Sequence, residues 1–397
     1  MHSFRYPACL LASVFCSIAA LAQPATLRPL EGNFRALTQN DSRIFGLDFA
    51  GTLFSSDNEG GSFTQRYPTT GIAEDFYYAV SALGDTVVIA GGDALIARSA
   101  DNGVSWDDTV NTVFVQGDLK AIAGRASATP ALNQWVAAGN DGGQGVLFVS
   151  QNDGMEWTRH VSGTSFDNLD FSGAVWTGAA WVVCGSKTLI PVDAEDYPGV
   201  IYRSVDALSW TLVDDTFSSP LRAIASDGAG RVVAVGERGL ILRSTDHGQT
   251  FEQIDQSPVS EDLTAVVAAG VDNFIIGGVG KSLLEVNAEI ISVRRPLVGG
   301  APQVEALLLV NGDVLLGGAF SASSRTEPFG LKIETLGGSY RLTVSQALSG
   351  KVYSLETSST LQDWDDVPNT ARAGADGSLR WTLPLDGERR FWRATEF

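Results

Sequence analysis

Leu221-Arg-Ala-Ile224, Val232-Val-Ala-Val-Gly236 and Leu240-Ile-Leu-Arg-Ser244, closed by the turn Ser244-Thr-Asp246-His-Gly248-Gln-Thr-Phe251, make up one unit of a pattern that runs through most of the chain. Short apolar runs bounded by Gly and polar residues read as buried strands joined by tight turns. The opening phrase is an apolar residue, a variable one, Ala or a substitute, then another apolar residue. It returns at Phe34-Arg-Ala-Leu37, Phe76-Tyr-Tyr-Ala-Val80, Leu119-Lys-Ala-Ile122, Leu169-Asp-Phe171, Leu263-Thr-Ala-Val266 and Val304-Glu-Ala-Leu307. The first residues of the seven phrases lie 42, 43, 50, 52, 42 and 41 positions apart. An apolar run ending in Gly follows each later phrase: Val87 to Gly91, Trp135 to Gly139, Trp181 to Gly185, Val232 to Gly236, Phe274 to Gly277 and Val314 to Gly317.

Four short strands in about 42 residues is the size of one propeller blade, so the seven phrases predict an all-β, seven-bladed β-propeller over residues 23–335. In the seventh period Val304 to Val310, Val314 to Gly318 and Gly330 to Glu334 read as three strands with no fourth. The extended Ala25 to Leu30 is expected to supply it, closing the ring and removing an exposed sheet edge.

Each of the first five periods carries a turn between its third and fourth strands. These are Ser55-Ser-Asp57-Asn-Glu-Gly60-Gly-Ser-Phe63, Ser99-Ala-Asp101-Asn-Gly103-Val-Ser-Trp106, Ser150-Gln-Asn152-Asp-Gly154-Met-Glu-Trp157, Ser204-Val-Asp206-Ala-Leu-Ser-Trp210 and the Asp246 turn quoted above. Asp or Asn satisfies turn N–H groups, Gly supplies a positive φ, and the aromatic packs inward. Asp57, Asp101, Asn152, Asp206 and Asp246 are therefore read as structural. The turns resemble the Asp-box, or BNR, repeat; by that comparison the first has one extra residue and the fourth lacks its Gly. The phrase Val235-Gly-Glu-Arg-Gly-Leu-Ile-Leu-Arg-Ser-Thr-Asp-His-Gly248 resembles the photosystem II assembly and stability factor family over about residues 30 to 290. That resemblance implies a non-catalytic assembly factor, although fold analogy does not carry the photosynthetic role. Sialidase-superfamily propellers share the box, but a sialidase needs an arginine triad, a Tyr-Glu nucleophile pair and an acid Asp, and is usually six-bladed. The xyloglucan-type hydrolases use two such propellers and nearly twice this length.

The 397 residues include 43 Gly, only 14 Pro and 9 Trp, with 44% apolar residues, which fits a turn-rich β protein and excludes disorder. The net charge of −19 excludes a nucleic-acid partner, which needs a concentrated basic surface. Arg5, the apolar Ala8 to Leu21 and Ala20-Leu21-Ala22 read as a secretory signal peptide over 1–22. A secreted, periplasmic or cell-surface protein is expected, not membrane-spanning and monomeric. Removing the leader leaves Cys184 as the only cysteine, in the buried-strand pattern Trp181-Val-Val-Cys184. After Leu336 the blade spacing ends. Tyr353 to Trp364 and Arg390-Phe-Trp-Arg-Ala394 resemble the small β modules that close many secreted bacterial proteins, giving a C-terminal β module over 336–397.

The variable residue of each phrase is expected to ring the channel mouth: Arg35, Tyr77, Lys120, Asp170, Arg222, Thr264 and Glu305. The cations suit a carboxylate or an acidic peptide through charge-assisted hydrogen bonds. Tyr197, in the long loop Ser186 to Gly199 with Asp193, Glu195 and Asp196, is a further binding candidate on the same, acidic face. Asp170 and Glu305 are the alternative catalytic pair, because a glycosidase needs two carboxylates across its substrate. No cofactor or metal is expected: His160 and His247 fall in different blades. Gly277-Gly-Val-Gly-Lys-Ser282 is not a phosphate loop, since Ile275 stands where the first Gly is required. The expected function is a secreted, non-catalytic scaffold for an extracellular protein or glycan, with a glycan-active hydrolase as the alternative.

Overall fold

The computed structural model describes residues 27–30, 32–68, 76–108, 117–160, 166–188, 197–254, 257, 259–279, 283–287, 291–294, 303–311 and 313–319. Beyond these it describes strands at 330–336, 339–345, 352–358, 365–366, 371–372, 378–384 and 391–396. The expected signal peptide and Asp193, Glu195 and Asp196 lie outside the described residues. Among the described residues regular structure is strand apart from the 3-10 turns Gly92–Ala94, Pro130–Leu132 and Glu237–Gly239. Among the described residues no helix is long and apolar enough to cross a membrane.

The architecture is a β-propeller. Six antiparallel sheets are each made from one unbroken stretch of chain. Blade I is Phe34–Gln39, Ile44–Asp48, Leu53–Ser56 and Thr64–Tyr67; blade II is Tyr77–Leu83, Thr86–Gly91 and Ile96–Ser99. Blade III is Gly117–Arg125, Gln134–Asp141, Gln144–Ser150 and Thr158–Arg159; blade IV is Leu169–Trp176, Trp181–Lys187, Gly199–Ser204 and Thr211–Phe217. Blade V is Leu221–Ser226, Val232–Gly236, Ile241–Ser244 and Glu252–Gln253; blade VI is Leu263–Gly270, Asn273–Gly278, Leu283–Asn287 and Ile291–Arg294. The expectation of seven like blades is thereby corrected to six. The gap between blades VI and I is filled by a composite, three-stranded closing sheet from two distant parts of the chain: Gln303–Val310, Asp313–Ala319 and Leu27–Pro29.

The ends do pair, but not as expected. Leu27–Pro29 runs parallel to Asp313–Ala319, Leu27 opposite Val314, in the third place rather than the fourth. Gly330–Leu336, expected in that third place, pairs instead with Ser339–Ser345, which also pairs with Ser378–Pro384. The innermost strands neighbour one another all the way round. Between successive sheets lies a buried apolar cluster, and the one at the closure joins Leu30, Phe34 and Ile44 to Leu308, Val310 and Leu315. Each such side chain contributes about 1.5–3 kcal/mol by leaving water, so burial between neighbouring sheets holds the ring together.

One detail repeats in the innermost strand of every sheet and decides which residues reach the channel. The ladder skips one residue, so that two residues oppose one: Phe34 and Ala36 pair with Asp48 and Leu47, leaving Arg35 unpaired. The skipped residues of the other sheets are Tyr78, Lys120, Ser172, Arg222, Thr264 and Glu305. A bulge of this kind bends the strand and re-aims a side chain. Opposite it, a Gly Cβ would stand 1.8–2.1 Å from a carbonyl oxygen at Gly91, Gly139, Gly185, Gly236, Gly278 and Gly318. The Gly-ended apolar runs thus mark the bulges, with the register at the last two shifted by one from Gly277 and Gly317.

The recurrent turns share one hydrogen-bond scheme. In blade II the Ser99 hydroxyl donates to Asp101 at 2.8 Å and accepts from the Gly103 N–H at 2.8 Å, while Asp101 Oδ1 accepts from the Val104 and Ser105 N–H groups. The indole N–H of Trp157 and of Trp210 donates back to the turn carbonyl at 3.0 Å. Blade I follows the same scheme from Ser56 and Asn58, not from Ser55 and Asp57: Ser56 binds Asn58 and the Gly60 N–H, and Asn58 accepts from the Ser62 N–H. Its spacing is therefore regular, and Asp57 is instead an ion-pair partner of Arg43 at 2.6 Å. Asp206 and Asp246 occupy the expected slots, as does Asn152.

Burial pushes the Asp101 carboxyl up, but the Ser105 hydroxyl and N–H, the Ser99 hydroxyl and the Val104 N–H outweigh it and bring it to about 2. Its folded value lies below the unfolded one, so this stabilisation is present above about pH 4 and is lost as pH falls through 2. Asp101 is exposed, and screening reduces its share to about 1 kcal/mol. Asp101→Ala should cost about 1–2 kcal/mol at pH 7. Asp101→Asn, which keeps the Oδ1 acceptor as Asn58 and Asn152 do, should cost less and flatten the acid limb of a denaturation series between pH 4 and 2. An unchanged acid limb in Asp101→Asn would sink this account.

Candidate functional site

The seven skipped residues converge on the mouth of the central channel, a cavity of about 690 Å³ that all of them line. Five of the seven expected positions line it: Arg35, Lys120, Arg222, Thr264 and Glu305. Two are corrected. Tyr77 is buried against Phe45, Leu47 and Val87 in the core between blades I and II, and Tyr78 faces the channel in its place. The run Phe76-Tyr77-Tyr78 offers three aromatics in a row, and the contact between Gly91 and the Phe76 carbonyl fixes which one turns inward. In blade IV the bulge falls at Ser172, because Phe171 is the apolar anchor opposite Gly185. Asp170 lies two residues earlier, outside this cavity.

The short members of the ring are latches. Ser172 Oγ donates to the Leu221 carbonyl at 2.7 Å, tying blade IV to blade V, and Thr264 Oγ1 donates to the Val304 carbonyl of the closing sheet. The long members face the cavity. Lys120 Nζ binds both oxygens of Asp170, at 2.7 and 2.9 Å, across blades III and IV. Arg222 donates to Glu237.

Arg35 is different. Its guanidinium carbon sits over the Tyr78 ring, 4.5 Å from its centre, and over the Phe49 ring at 5.4 Å, cation–π contacts that use none of its N–H donors. Among the described residues it has no hydrogen bond and no ion pair. Burial lowers the Arg35 pKa, with Tyr78, Glu305 and Asp118 opposing. Glu305 is likewise half-buried; burial pushes its carboxyl up, with Arg35 and Arg222 pulling it down. Burial also raises the Tyr78 phenol, reinforced by the neighbouring Asp118 carboxylate. The mouth therefore presents a cation over aromatic rings, a carboxyl whose burial favours its protonated form, and an aromatic face in the sector of the closing sheet and blades I to III.

A second cavity of about 520 Å³ adjoins the first and shares Arg222 with it. Its lining includes Asp170, Lys187, Tyr197 and Glu237, so Tyr197 and Asp170 belong together here rather than with Glu305. Sequence reasoning did not find Tyr78, Phe49 or Asp118. The Gly at the end of each second strand was the available signal for Tyr78, and the loop residue Phe49 had none. Among the described residues no cluster of His, Cys, Asp and Glu has the arrangement of a metal site. Cys184 is buried, and burial pushes its thiol up to about 12, which makes it a core residue.

No protein-family profile and no curated protein matches this sequence. Solved structures do match in fold. YCF48 bound to D1 peptide superimposes with a TM-score of 0.53 at 14% identity, covering 75% of this chain and 95% of that one. The WD40 propeller domain of Doa1 superimposes with a TM-score of 0.52 at 13% identity, covering 74% of this chain and 92% of that one. The GH74 xyloglucanase of Xanthomonas campestris gives a looser superposition, TM-score 0.46 at 15% identity, over 79% of this chain and 51% of that one. At these identities the similarity is one of fold, and the chain is a β-propeller of the general kind to which YCF48 and the Doa1 domain belong.

Proposed function

We propose that this is a secreted, non-catalytic binding scaffold, with residues 1–22 as its leader, residues 336–397 as a separate small β module and the recurrent turns as Asp-box turns. In this reading its channel mouth receives a carboxylate-bearing extended peptide segment from an extracellular partner. The observation that carries it is Arg35: a half-buried guanidinium held over the Tyr78 and Phe49 rings, facing a 690 Å³ cavity, with no acceptor among the described residues. A pre-oriented fork binds a carboxylate at low entropic cost. The peptide in the YCF48 structure is in keeping with this reading.

Titration of the purified protein with extended acidic peptides, each with a free or an amidated C-terminus, tests it. Arg35→Ala should weaken binding about 30-fold, the loss of roughly 2 kcal/mol for a charged hydrogen-bonded contact. Arg35→Lys should not restore it, because an ammonium has no planar fork. Peptide binding indifferent to Arg35→Ala would overturn the reading.

Glu305 supports a second reading, a glycan-active hydrolase, because burial pushes its carboxyl in the direction a general acid needs. Its expected partner Asp170 is held by Lys120 in the adjoining cavity, which separates the two roles. Hydrolysis of an oligosaccharide panel that disappears in Glu305→Gln would establish this reading instead.

A further inference from the structure

The recurrent turns lie at the opposite ends of the strands from the channel mouth, and one position in them serves the turn through its backbone N–H while its side chain is not fixed in type. It follows the turn glycine, or Ala207 in blade IV. In blades I and V it holds Gly61 and Gln249, so the turn requires no apolar side chain there. In three successive blades, II, III and IV, it holds Val104, Met155 and Leu208, which are 59%, 47% and 49% exposed. Two further exposed apolar residues accompany them: Leu132 in the 3-10 turn beside Asn133, whose carbonyl accepts from the Asp153 N–H, and Val205 in the blade IV turn itself. Scattered exposed apolar residues need no explanation, but five gathered on one end of three adjoining blades mark an interaction face.

Within the turns of this row the charges have one sign, and the neighbouring Arg43 and Arg98 are spent on turn carbonyls and on Asp57 and Asp153. The three turns from Ser99 to Trp106, Ser150 to Trp157 and Ser204 to Trp210 contain Asp101, Asp153, Glu156 and Asp206 and no Lys or Arg. Asp153 is buried on Arg98, whereas Asp101, Glu156 and Asp206 are exposed. Asp101 and Asp206 accept several hydrogen bonds each from their own turns, which keeps them ionised. Arg98 ties the blade III turn to blade II through the Asp153 carbonyl at 2.5 Å, so the row is held on a fixed frame.

We propose that the turn face of blades II to IV is a protein-docking surface, distinct from the channel mouth, and that it takes an amphipathic segment carrying apolar side chains flanked by Lys or Arg. Charge complementarity selects that occupant: a second copy would oppose acidic turns to acidic turns, and an anionic bilayer would be repelled.

The test uses the full chain and a synthetic amphipathic Leu/Lys peptide, with a Leu/Glu peptide of the same pattern as control. Amide exchange should show protection at 101–106, 152–157 and 206–210 with the first peptide and none with the second. The triple variant Val104→Gln, Met155→Gln, Leu208→Gln, which copies the residue found in blade V, should bind at least tenfold more weakly with unchanged thermal stability. Asp101→Asn with Asp206→Asn should weaken binding several-fold while keeping the turns, and Arg35→Ala should leave it unchanged. The proposal is overturned by protection confined to the channel mouth, by equal binding of both peptides, or by an unaffected triple variant. Self-association of the chain or vesicle binding that the triple variant abolishes would overturn it in favour of those occupants.

Discussion

Arg98→Ala is expected to lower stability by about 3–5 kcal/mol, the largest effect of any single change described here. Arg98 of blade II reaches across to the blade III turn, donating to Asp153 Oδ2 at 2.6 Å and to the Asp153 carbonyl at 2.5 Å. Thr86 and Asn133 donate to the same carboxylate at 2.7 and 3.0 Å. The two charged side chains are only 13% and 10% exposed, so truncating the arginine strands a desolvated carboxylate rather than returning it to water. The expected result is a fall of roughly 10 °C in melting temperature by circular dichroism. Arg98→Met combined with Asp153→Asn should recover most of it, since Asn tolerates the left-handed φ of 59° and removes the orphaned charge. A loss below about 1 kcal/mol for Arg98→Ala would show that water reaches the pair.

Gly139→Ala should cost about 3 kcal/mol, at the upper end of what overpacking usually costs. The added methyl would lie 1.8 Å from the Asp118 carbonyl oxygen and 2.9 Å from Leu119 Cα, and both obstacles are backbone. The bulge would have to open, which moves Lys120 at the channel mouth and loosens its pair with Asp170 of the adjoining cavity. Gly142→Ala is the control within the same blade, because nothing lies within 4 Å of its Cβ position; its φ of 60° is its only penalty. Chemical denaturation of the two variants should therefore separate them clearly, and equal losses would discredit the steric account of the bulge.

The repeat spacing, the Gly-ended runs and the Ser-x-Asp turns were legible because each is imposed by backbone geometry that only a few residue types satisfy. Arg35, Lys120, Arg222, Thr264 and Glu305 were legible for the same reason, being fixed one residue after a recognisable apolar anchor. Tyr77 was misplaced because three consecutive aromatics satisfy the anchor pattern equally well, and one residue of slip exchanges the core face for the channel face. Asp170 was misplaced because Leu169 and Phe171 are both acceptable anchors, and Asp57 because Ser55 and Ser56 are both acceptable turn starters.

By itself the sequence determined a propeller with a period near 42, turn-bound carboxylates and a polar ring at the channel mouth, since period and glycine placement are local constraints. Only the tertiary structure decided that Leu27–Pro29 takes the third place of the closing sheet, that Tyr78 rather than Tyr77 meets Arg35, and that Asp170 is held by Lys120. Each of those outcomes depends on where a bulge falls and which strand lies alongside. Those are choices between locally equivalent residues, settled by packing against chain tens to hundreds of positions away.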